Sequence, residues 1–104
     1  MQFVVTALDY TDPGTLQRRI QQREAHLARL KQMMSDGRCH SAGAILDEND
    51  RMIGSSLHLE FPDRATLEQT LQNDPYVINK VWQSIEIRPV KLVPVESESG
   101  RKAR

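Results

Sequence analysis

The sequence has little cysteine, few aromatic residues, no long hydrophobic run and no excess charge of either sign. The single thiol, Cys39, excludes an internal disulfide framework and a cysteine-rich zinc site. Lysine plus arginine and aspartate plus glutamate number 14 each, so no net field favours nucleic acid or an anionic membrane. The apolar N-terminal segment is interrupted by Thr6 and Asp9 and follows no basic region. We therefore expect a cytoplasmic protein that binds neither nucleic acid nor membranes.

Glycine is also scarce, and the sequence contains no internal repeat and no glycine-rich phosphate loop. His40 and His58 belong to the two arms of one predicted hairpin, but no carboxylate or cysteine spacing completes a metal site there. We interpret both histidines as structural. A chain of 104 residues supports one hydrophobic core. The sequence therefore predicts a single domain with no metal and no cofactor.

Hydrophobic periodicity predicts the order of the secondary structure. Residues 3–8 form an apolar strand, and a helix begins at Thr15 and ends at residues 35–37. Residues 39–45 and 52–61 form a hairpin, and Pro62 introduces a short helix that ends before Tyr76. Residues 82–93 form the last strand. The predicted domain spans residues 3–93, and residues 94–104 are expected to form a flexible tail because they are charged and rich in small residues.

The order β-α-β-β-α-β predicts a ferredoxin-like α+β fold, in which two helices cover one face of a four-stranded antiparallel sheet. The first strand is apolar on both of its faces, although an open sheet face is normally polar. A second subunit that covers this strand would explain the pattern. We therefore expect a homodimer.

The long helix contains the residues that suggest chemistry. At about 100° per residue, its apolar residues cluster around one direction, and His26 lies roughly 80° from Leu16, at the border of that arc. The apolar residues are Leu16, Ile20, Leu27, Leu30 and Met34. We expect His26 to be half-buried, either as a boundary residue with local hydrogen bonds or as a group that transfers protons near neutral pH.

Arg23 and Asp74 each allow two interpretations. Arg23 falls inside the apolar arc, where it either covers apolar surface with its stem or binds a substrate carboxylate or enolate. Asp74 precedes Pro75, so it either caps a turn or has a functional role. A catalytic role for Cys39 is disfavoured because no neighbouring group would generate its thiolate.

Several segments together resemble one known family. Residues 23–30, Arg-Glu-Ala-His-Leu-Ala-Arg-Leu, are similar to the RPAHLARL helix of YciI-like, or YCII-related, proteins. The resemblance extends over residues 3–93 and includes Asp-Gly-Arg at 36–38, Ala-Gly at 42–43, Gly-Ser at 54–55, Asp-Pro-Tyr-Val at 74–77 and Ile-Arg-Pro at 87–89. Glu24 and Ala44 stand where that family usually has proline, and the hairpin loop is short.

The resemblance implies a ferredoxin-like subunit that pairs into a dimeric α+β barrel. It also implies a cleft with a catalytic dyad, formed here by His26 and Asp74. Asp9 would orient the imidazole or help to bind substrate, and Arg23 and Tyr76 are the other candidates for substrate binding. One branch of the family resembles dehydrochlorinases that act on chlorinated hydroxyquinols.

A His–Asp pair without a metal or flavin suits acid–base chemistry, because the carboxylate selects the imidazole tautomer and stabilises the imidazolium. We therefore expect elimination, dehydrochlorination or isomerisation of a small, cyclic or aromatic substrate. The alternative is a non-catalytic protein that binds a small ligand or acts as a dimeric accessory subunit. The fold by itself does not separate these functions.

Overall fold

The computed structural model describes residues 1–94, in which helices pack on one β-sheet. Its strands are β1 (Gln2–Asp9), β2 (Cys39–Leu46), β3 (Met52–Glu60) and β4 (Trp82–Pro89). Its helices are α1 (Thr15–Ser35), α2 (Arg64–Gln72) and α3 (Pro75–Ile78). The short helix α3 was not predicted from the sequence. Otherwise the predicted order of elements is confirmed.

The four strands form one antiparallel sheet in the order β2-β3-β1-β4, with the helices on one face. This is the ferredoxin-like arrangement that the sequence predicts. β4 ends at Pro89 and not at Val93, because Pro89 already pairs with Phe3, close to the first residue of the neighbouring strand β1. Apart from Pro94, the predicted tail lies outside the described residues.

The core lies between the sheet and the helices. Alternate residues of β1 point into it, as the period of two requires, and Phe3, Val5 and Ala7 are each at most 1% exposed. They pack with Leu57 and Leu59 of β3, which stand opposite them in register. The helices close this layer with Leu30 and Met33 of α1, Leu67 and Leu71 of α2 and Tyr76 of α3.

The buried face of α1 differs from the predicted apolar arc. Leu16, Ile20 and Met34 are 39%, 53% and 43% exposed, whereas the buried residues are Thr15, Arg19, His26, Leu30 and Met33. At about 100° per residue, the buried face is rotated by roughly 80° from Leu16, toward His26. The prediction was wrong because Arg19 and His26 occupy the face that meets the sheet. These polar side chains have buried partners on β3 and α3, respectively.

Local signals explain two of the chain reversals. α1 ends at Ser35, and Gly37 adopts a φ of 83°, the left-handed conformation that a residue with a Cβ rarely takes. The Arg38 nitrogen then donates to the Met33 carbonyl at 2.8 Å. In the hairpin, the Asp47 carboxylate accepts from the backbone nitrogens of Asn49 and Arg51 at 2.8 and 3.0 Å. These bonds hold β2 and β3 in register.

The sheet face opposite the helices carries alternate residues of β1, namely Val4, Thr6 and Leu8. Leu8 is 47% exposed, whereas Val4 and Thr6 are half-buried. Their cross-strand neighbours are mostly polar: Ser56 and His58 on β3, and Ser84, Glu86 and Arg88 on β4. Within residues 1–94, no helix is both long and apolar enough to span a membrane.

Candidate active site

A cleft of about 240 Å³ lies between α1 and the β2–β3 hairpin. Its polar lining consists of Arg19, Arg23, His26, Lys31, Ser55 and Tyr76. Its apolar lining includes Leu27, Leu30, Met34, Ala42, Met52 and Leu57. A concave site with an apolar wall and a few converging polar groups is typical of small-molecule binding.

His26 lines this cleft and contacts Asp74, the other member of the predicted pair, which lies behind it. His26 Nδ1 lies 2.9 Å from Asp74 Oδ1 and 3.1 Å from Oδ2, although 48 positions separate the two residues. His26 is 4% exposed and Asp74 is 1% exposed, so the predicted half-burial of His26 was wrong. Burial excludes competing water from the bond and holds the imidazole in one orientation.

Asp74 also organises its own neighbourhood. It is the N-cap of α3, where Oδ1 accepts from the Tyr76 nitrogen at 2.8 Å, and Pro75 follows at the first helical position. Arg29 Nη1 lies 3.3 Å from Oδ2 and supplies a positive charge beside the carboxylate. The two interpretations of Asp74 are therefore compatible, because one carboxylate caps a helix and contacts His26.

Aromatic rings hold the imidazole from two sides. The His26 ring stacks on the Tyr76 ring with a centroid distance of 3.9 Å and an interplanar angle of 11°. Trp82 meets both rings edge-on, with centroids 5.5 Å away. Such pairs contribute about 0.5–1.5 kcal/mol beyond their burial, and they also restrict rotation of the imidazole.

The other ring nitrogen of His26 is open. Nε2 makes no hydrogen bond to a described residue and is not among the fully enclosed polar atoms that lack a partner, so it retains contact with the cleft. The same holds for the hydroxyl of Tyr76, and burial of this side chain raises its pKa above the ordinary value. A ligand in the cleft therefore meets one imidazole nitrogen and one neutral phenol.

Arg19 is the functional candidate that sequence reasoning missed. Its side chain is 2% exposed, and Nη2 donates to the Gly54 carbonyl and to Ser55 Oγ at 2.5 and 2.7 Å. The guanidinium also lies 4.8 Å from the centroid of the Tyr76 ring. One signal was available: residues 19, 23 and 26 are spaced i, i+4, i+7 and form a polar stripe along α1.

Asp9 stands behind Arg19 and does not touch His26. Its Oδ2 lies 3.5 Å from Arg19 Nε, and no described residue donates a hydrogen bond to either carboxylate oxygen. Burial raises the pKa of Asp9, while the charge of Arg19 opposes that rise. The proposed role of Asp9 in orienting the imidazole is therefore wrong, because Asp74 holds Nδ1.

The remaining candidates lie at the periphery of the cleft or away from it. Arg23 is exposed and lines the cleft, a position that is compatible with both of its interpretations. Cys39 is buried, and desolvation raises the pKa of its thiol. His40 pairs with Glu60 at 2.6 Å, and His58 meets Ser41 at 2.9 Å. Neither of these two histidines lines the cleft.

Residues 1–91 match the model of the YCII-related domain, so nearly the whole described chain is covered. The chain belongs to the YCII-related domain family. An uncharacterized protein of Haemophilus influenzae is 36% identical over 99 residues, which cover 89% of this chain and 99% of that protein. Protein YciI of Escherichia coli is 33% identical over 99 residues, with the same coverage.

Solved structures show the same fold. The YCII-related chain resembles 5-chloro-2-hydroxyhydroquinone dehydrochlorinase of Burkholderia phenoliruptrix, solved in complex with 2,5-dihydroxybenzoquinone, with a TM-score of 0.75 and 26% identity. That match covers 88% of this chain and 94% of the other. An antibiotic biosynthesis monooxygenase matches with a TM-score of 0.51 and 18% identity, which shows a common fold.

Proposed function

We propose that this protein is a cofactor-independent acid–base enzyme that uses His26 and Asp74 on a small cyclic or aromatic substrate. The observation that carries the proposal is the buried hydrogen bond between His26 Nδ1 and Asp74, which leaves Nε2 open to a cleft. This arrangement supports a role as general base, because such a group must reach its substrate's proton directly or through one water.

Asp74 determines which nitrogen of His26 accepts a proton. A carboxylate at 2.9 Å favours the tautomer with hydrogen on Nδ1, so the lone pair of Nε2 points away from Asp74. When Nε2 takes a proton from the substrate, Asp74 stabilises the resulting imidazolium. His26 later returns that proton to the product or to water, and the enzyme is unchanged over one cycle.

The charge of the cleft favours an acidic or anionic substrate. Arg19, Arg23 and Lys31 line it, and no carboxylate does so among residues 1–94. Cations near the base stabilise the negative charge that develops when a phenol or a carbon next to a carbonyl loses its proton. A chlorinated hydroxyquinol has such acidic hydroxyls. The similar dehydrochlorinase of B. phenoliruptrix is named for a compound of this type, 5-chloro-2-hydroxyhydroquinone.

For a chlorinated substrate the reaction is elimination of hydrogen chloride. Nε2 of His26 takes the proton of one hydroxyl, which becomes a carbonyl, and returns it to the ring carbon that bears chlorine, which becomes tetrahedral. A second hydroxyl then loses its proton and becomes a carbonyl as the bond from carbon to chlorine breaks. Chloride leaves with the bonding pair, so no oxidant or reductant is consumed. Without a leaving group, the same proton transfer followed by reprotonation elsewhere gives isomerisation.

The direct test is chloride release from 5-chloro-2-hydroxyhydroquinone by the wild-type protein and by His26→Ala, Asp74→Asn and the double variant. We expect each single substitution to lower the rate by about 100-fold or more, the usual contribution of a general base. The double variant should be no slower than the slower single variant, because residues that act as one unit are not additive. His40→Ala, away from the cleft, is the matched control.

The alternative function is ligand binding without turnover, which the cationic lining of the cleft also favours. It predicts that the wild-type protein binds 2,5-dihydroxybenzoquinone in calorimetry but releases no chloride above the solvent rate. If His26→Ala and Asp74→Asn release chloride at the wild-type rate, the acid–base proposal is wrong. If binding in addition disappears in Arg23→Ala, the cleft is a binding site.

A further inference from the structure

We propose that the part of the cleft between the C-terminal half of α1 and β2 binds a hydrocarbon substituent of the substrate. The substrate is then an acidic ring that carries an alkyl group, and not a bare ring. This inference rests on the proposed function, because it extends the ligand of the same cleft. We call this part the apolar pocket, and it is formed by Leu27, Leu30 and Met34 of α1, Ala42 of β2 and Leu57 of β3.

One wall of the apolar pocket is a stripe of α1. Leu27, Leu30 and Met34 are spaced i, i+3, i+7, so they lie on one side of the helix, and all three line the cleft. The stripe extends over about 10 Å of the helix axis. Leu30 packs into the core, whereas Met34 is 43% exposed. The packing of the core therefore does not account for Met34, whose thioether side chain is suited to adapt to a ligand.

The opposite wall is kept open by small side chains. Ala42 and Ala44 are two positions apart on β2, so their side chains lie on the same face of the sheet, and both line the cleft. In register, Ala42 stands opposite Leu57. Strands usually carry β-branched or aromatic side chains, which would fill the space beside Leu57. Two alanines leave this space free for a ligand group.

The apolar pocket begins beside the base. His26 and Leu30 are spaced i, i+4, so they are neighbours on the surface of α1, and both line the cleft. A ring whose proton is within reach of Nε2 therefore has the apolar pocket on its side toward the C-terminal end of α1. Leu30 and Leu57 are 4% and 2% exposed, so a hydrocarbon group that contacts them leaves water almost completely.

The charges around the apolar pocket determine what the hydrocarbon group is attached to. Arg23 and Lys31 stand one turn before and one turn after Leu27, and both line the cleft. They favour an acidic group on the ligand. A second polar group inside the pocket would lose its water without gaining a partner, because all five side chains there are apolar. The combination favours an acidic ring with an alkyl substituent over a polyhydroxylated ligand.

The test is isothermal titration calorimetry of 2,5-dihydroxybenzoquinone and of its 3-methyl, 3-ethyl and 3-propyl derivatives at neutral pH. Burial of one methylene group strengthens binding about three- to fourfold, so the propyl derivative should bind about 30- to 60-fold more tightly than the parent quinone. This ratio of dissociation constants is the gain from the alkyl group. A gain of one or less in the wild-type protein overturns the proposal.

Met34→Gln shows whether the gain arises in the apolar pocket. The substitution places a polar group on a side chain that is already 43% exposed, and we expect the gain to fall by about threefold or more. Ile20→Gln is the matched control, because Ile20 is 53% exposed on the same helix and does not line the cleft. The gain should stay within about twofold of the wild-type value there. A wild-type gain in Met34→Gln would mean that the alkyl group binds elsewhere.

Ala42→Leu fills the apolar pocket from the side of the sheet and should remove the gain from the alkyl group. Ser41→Leu is its control, because it adds a leucine at the adjacent position, whose side chain lies on the other face of β2 and meets His58. The gain should persist in Ser41→Leu. A wild-type gain in folded Ala42→Leu overturns the proposal, and if this variant does not fold, the comparison of Met34→Gln with Ile20→Gln decides.

The outcomes also separate this inference from the proposed function. If the gain is present but His26→Ala retains wild-type chloride release, the apolar pocket stands and the acid–base role of His26 falls. If His26→Ala loses chloride release but the wild-type protein shows no gain, the reverse holds. No saturable binding of any of the four quinones at millimolar concentration overturns the apolar pocket for this class of ligand.

Discussion

His26 and Asp74 are 48 positions apart in sequence, yet Nδ1 and Oδ1 lie 2.9 Å apart between α1 and the start of α3. Asp74 holds this position because its carboxylate also caps α3 through the Tyr76 nitrogen. The hydrogen bond that orients the imidazole and the one that starts the helix therefore depend on the same side chain. Stability and chemistry are coupled at this residue.

Asp74→Ala should destabilise the fold more than the loss of an ordinary helix cap. The substitution leaves the Tyr76 nitrogen and His26 Nδ1 without their buried acceptor, and we expect a loss of about 3 kcal/mol in the free energy of unfolding. Asp63→Ala is the control, because Asp63 caps α2 through one bond to the Thr66 nitrogen and is exposed. Urea denaturation of both variants measures the difference, and equal losses would show that the contact with His26 contributes nothing to stability.

Asp9 should make the stability depend on pH. Burial raises its folded pKa above the ordinary value of 3.8, so the folded protein holds this proton more tightly than the unfolded chain does. The resulting stabilisation is fully present below pH 3.8 and is lost as the pH rises through the folded pKa. Between pH 4 and 7, the wild-type protein should therefore lose stability relative to Asp9→Asn in urea denaturation.

Asp12 provides a control, because its effect on stability should change with pH in the opposite direction to that of Asp9. Hydrogen bonds from Arg18 and Thr15 hold the pKa of this exposed carboxyl well below its usual range. Its stabilisation is present above the unfolded pKa and is lost on acidification, so the wild type should lose stability relative to Asp12→Asn as the pH falls below about 4. A difference between wild type and Asp9→Asn that is constant or grows with pH would mean that Arg19 outweighs burial at Asp9.

Gly54→Ala should destabilise the protein because β1 and β3 approach closely at this position. A Cβ there would lie 2.5 Å from the Ala7 carbonyl oxygen and 3.1 Å from Leu8 Cδ2. Backbone must move to relieve such contacts, which costs about 1–3 kcal/mol. In Gly43→Ala, a Cβ would meet nothing within 4 Å, so no such cost is expected. Thermal denaturation of the two variants compares them, and similar melting temperatures would contradict the prediction.

Formation of a homodimer through the sheet face opposite the helices stays a prediction. Leu8 is 47% exposed on this face, and a domain of this size has limited core of its own. Light scattering at micromolar concentration should give the mass of a dimer, and Leu8→Glu should shift it toward the monomer. Ile78→Glu is the control, because Ile78 is 63% exposed on α3, on the helix side of the sheet. A wild-type monomer would exclude pairing under these conditions.

The chemistry of the site was only partly readable from the sequence. The Asp-Pro-Tyr segment indicated Tyr76, and the helix motif indicated His26. Both residues line the cleft. Ser55 gave no signal, because a serine within an alternating strand is an ordinary residue until its neighbours are known. Arg19 gave a weak one, because a wheel built on leucine spacing assigned the buried face of α1 to Leu16 and Met34. Arg19 also has buried partners on β3, which lie 35 and 36 positions from it in sequence.

The sequence by itself determined the order of the elements, the two faces of β1 and the turns, because strand alternation, helix termini and turn residues act over a few neighbouring positions. Tertiary structure alone decided which face of α1 is buried, that Asp9 pairs with Arg19 and not with His26, and that Arg19 bonds to Gly54 and Ser55. These features depend on contacts between separate elements, across 35 positions for Arg19 with Gly54, and such contacts exist only once the helices pack on the sheet. Local periodicity carries no information about which distant group will satisfy a buried charge.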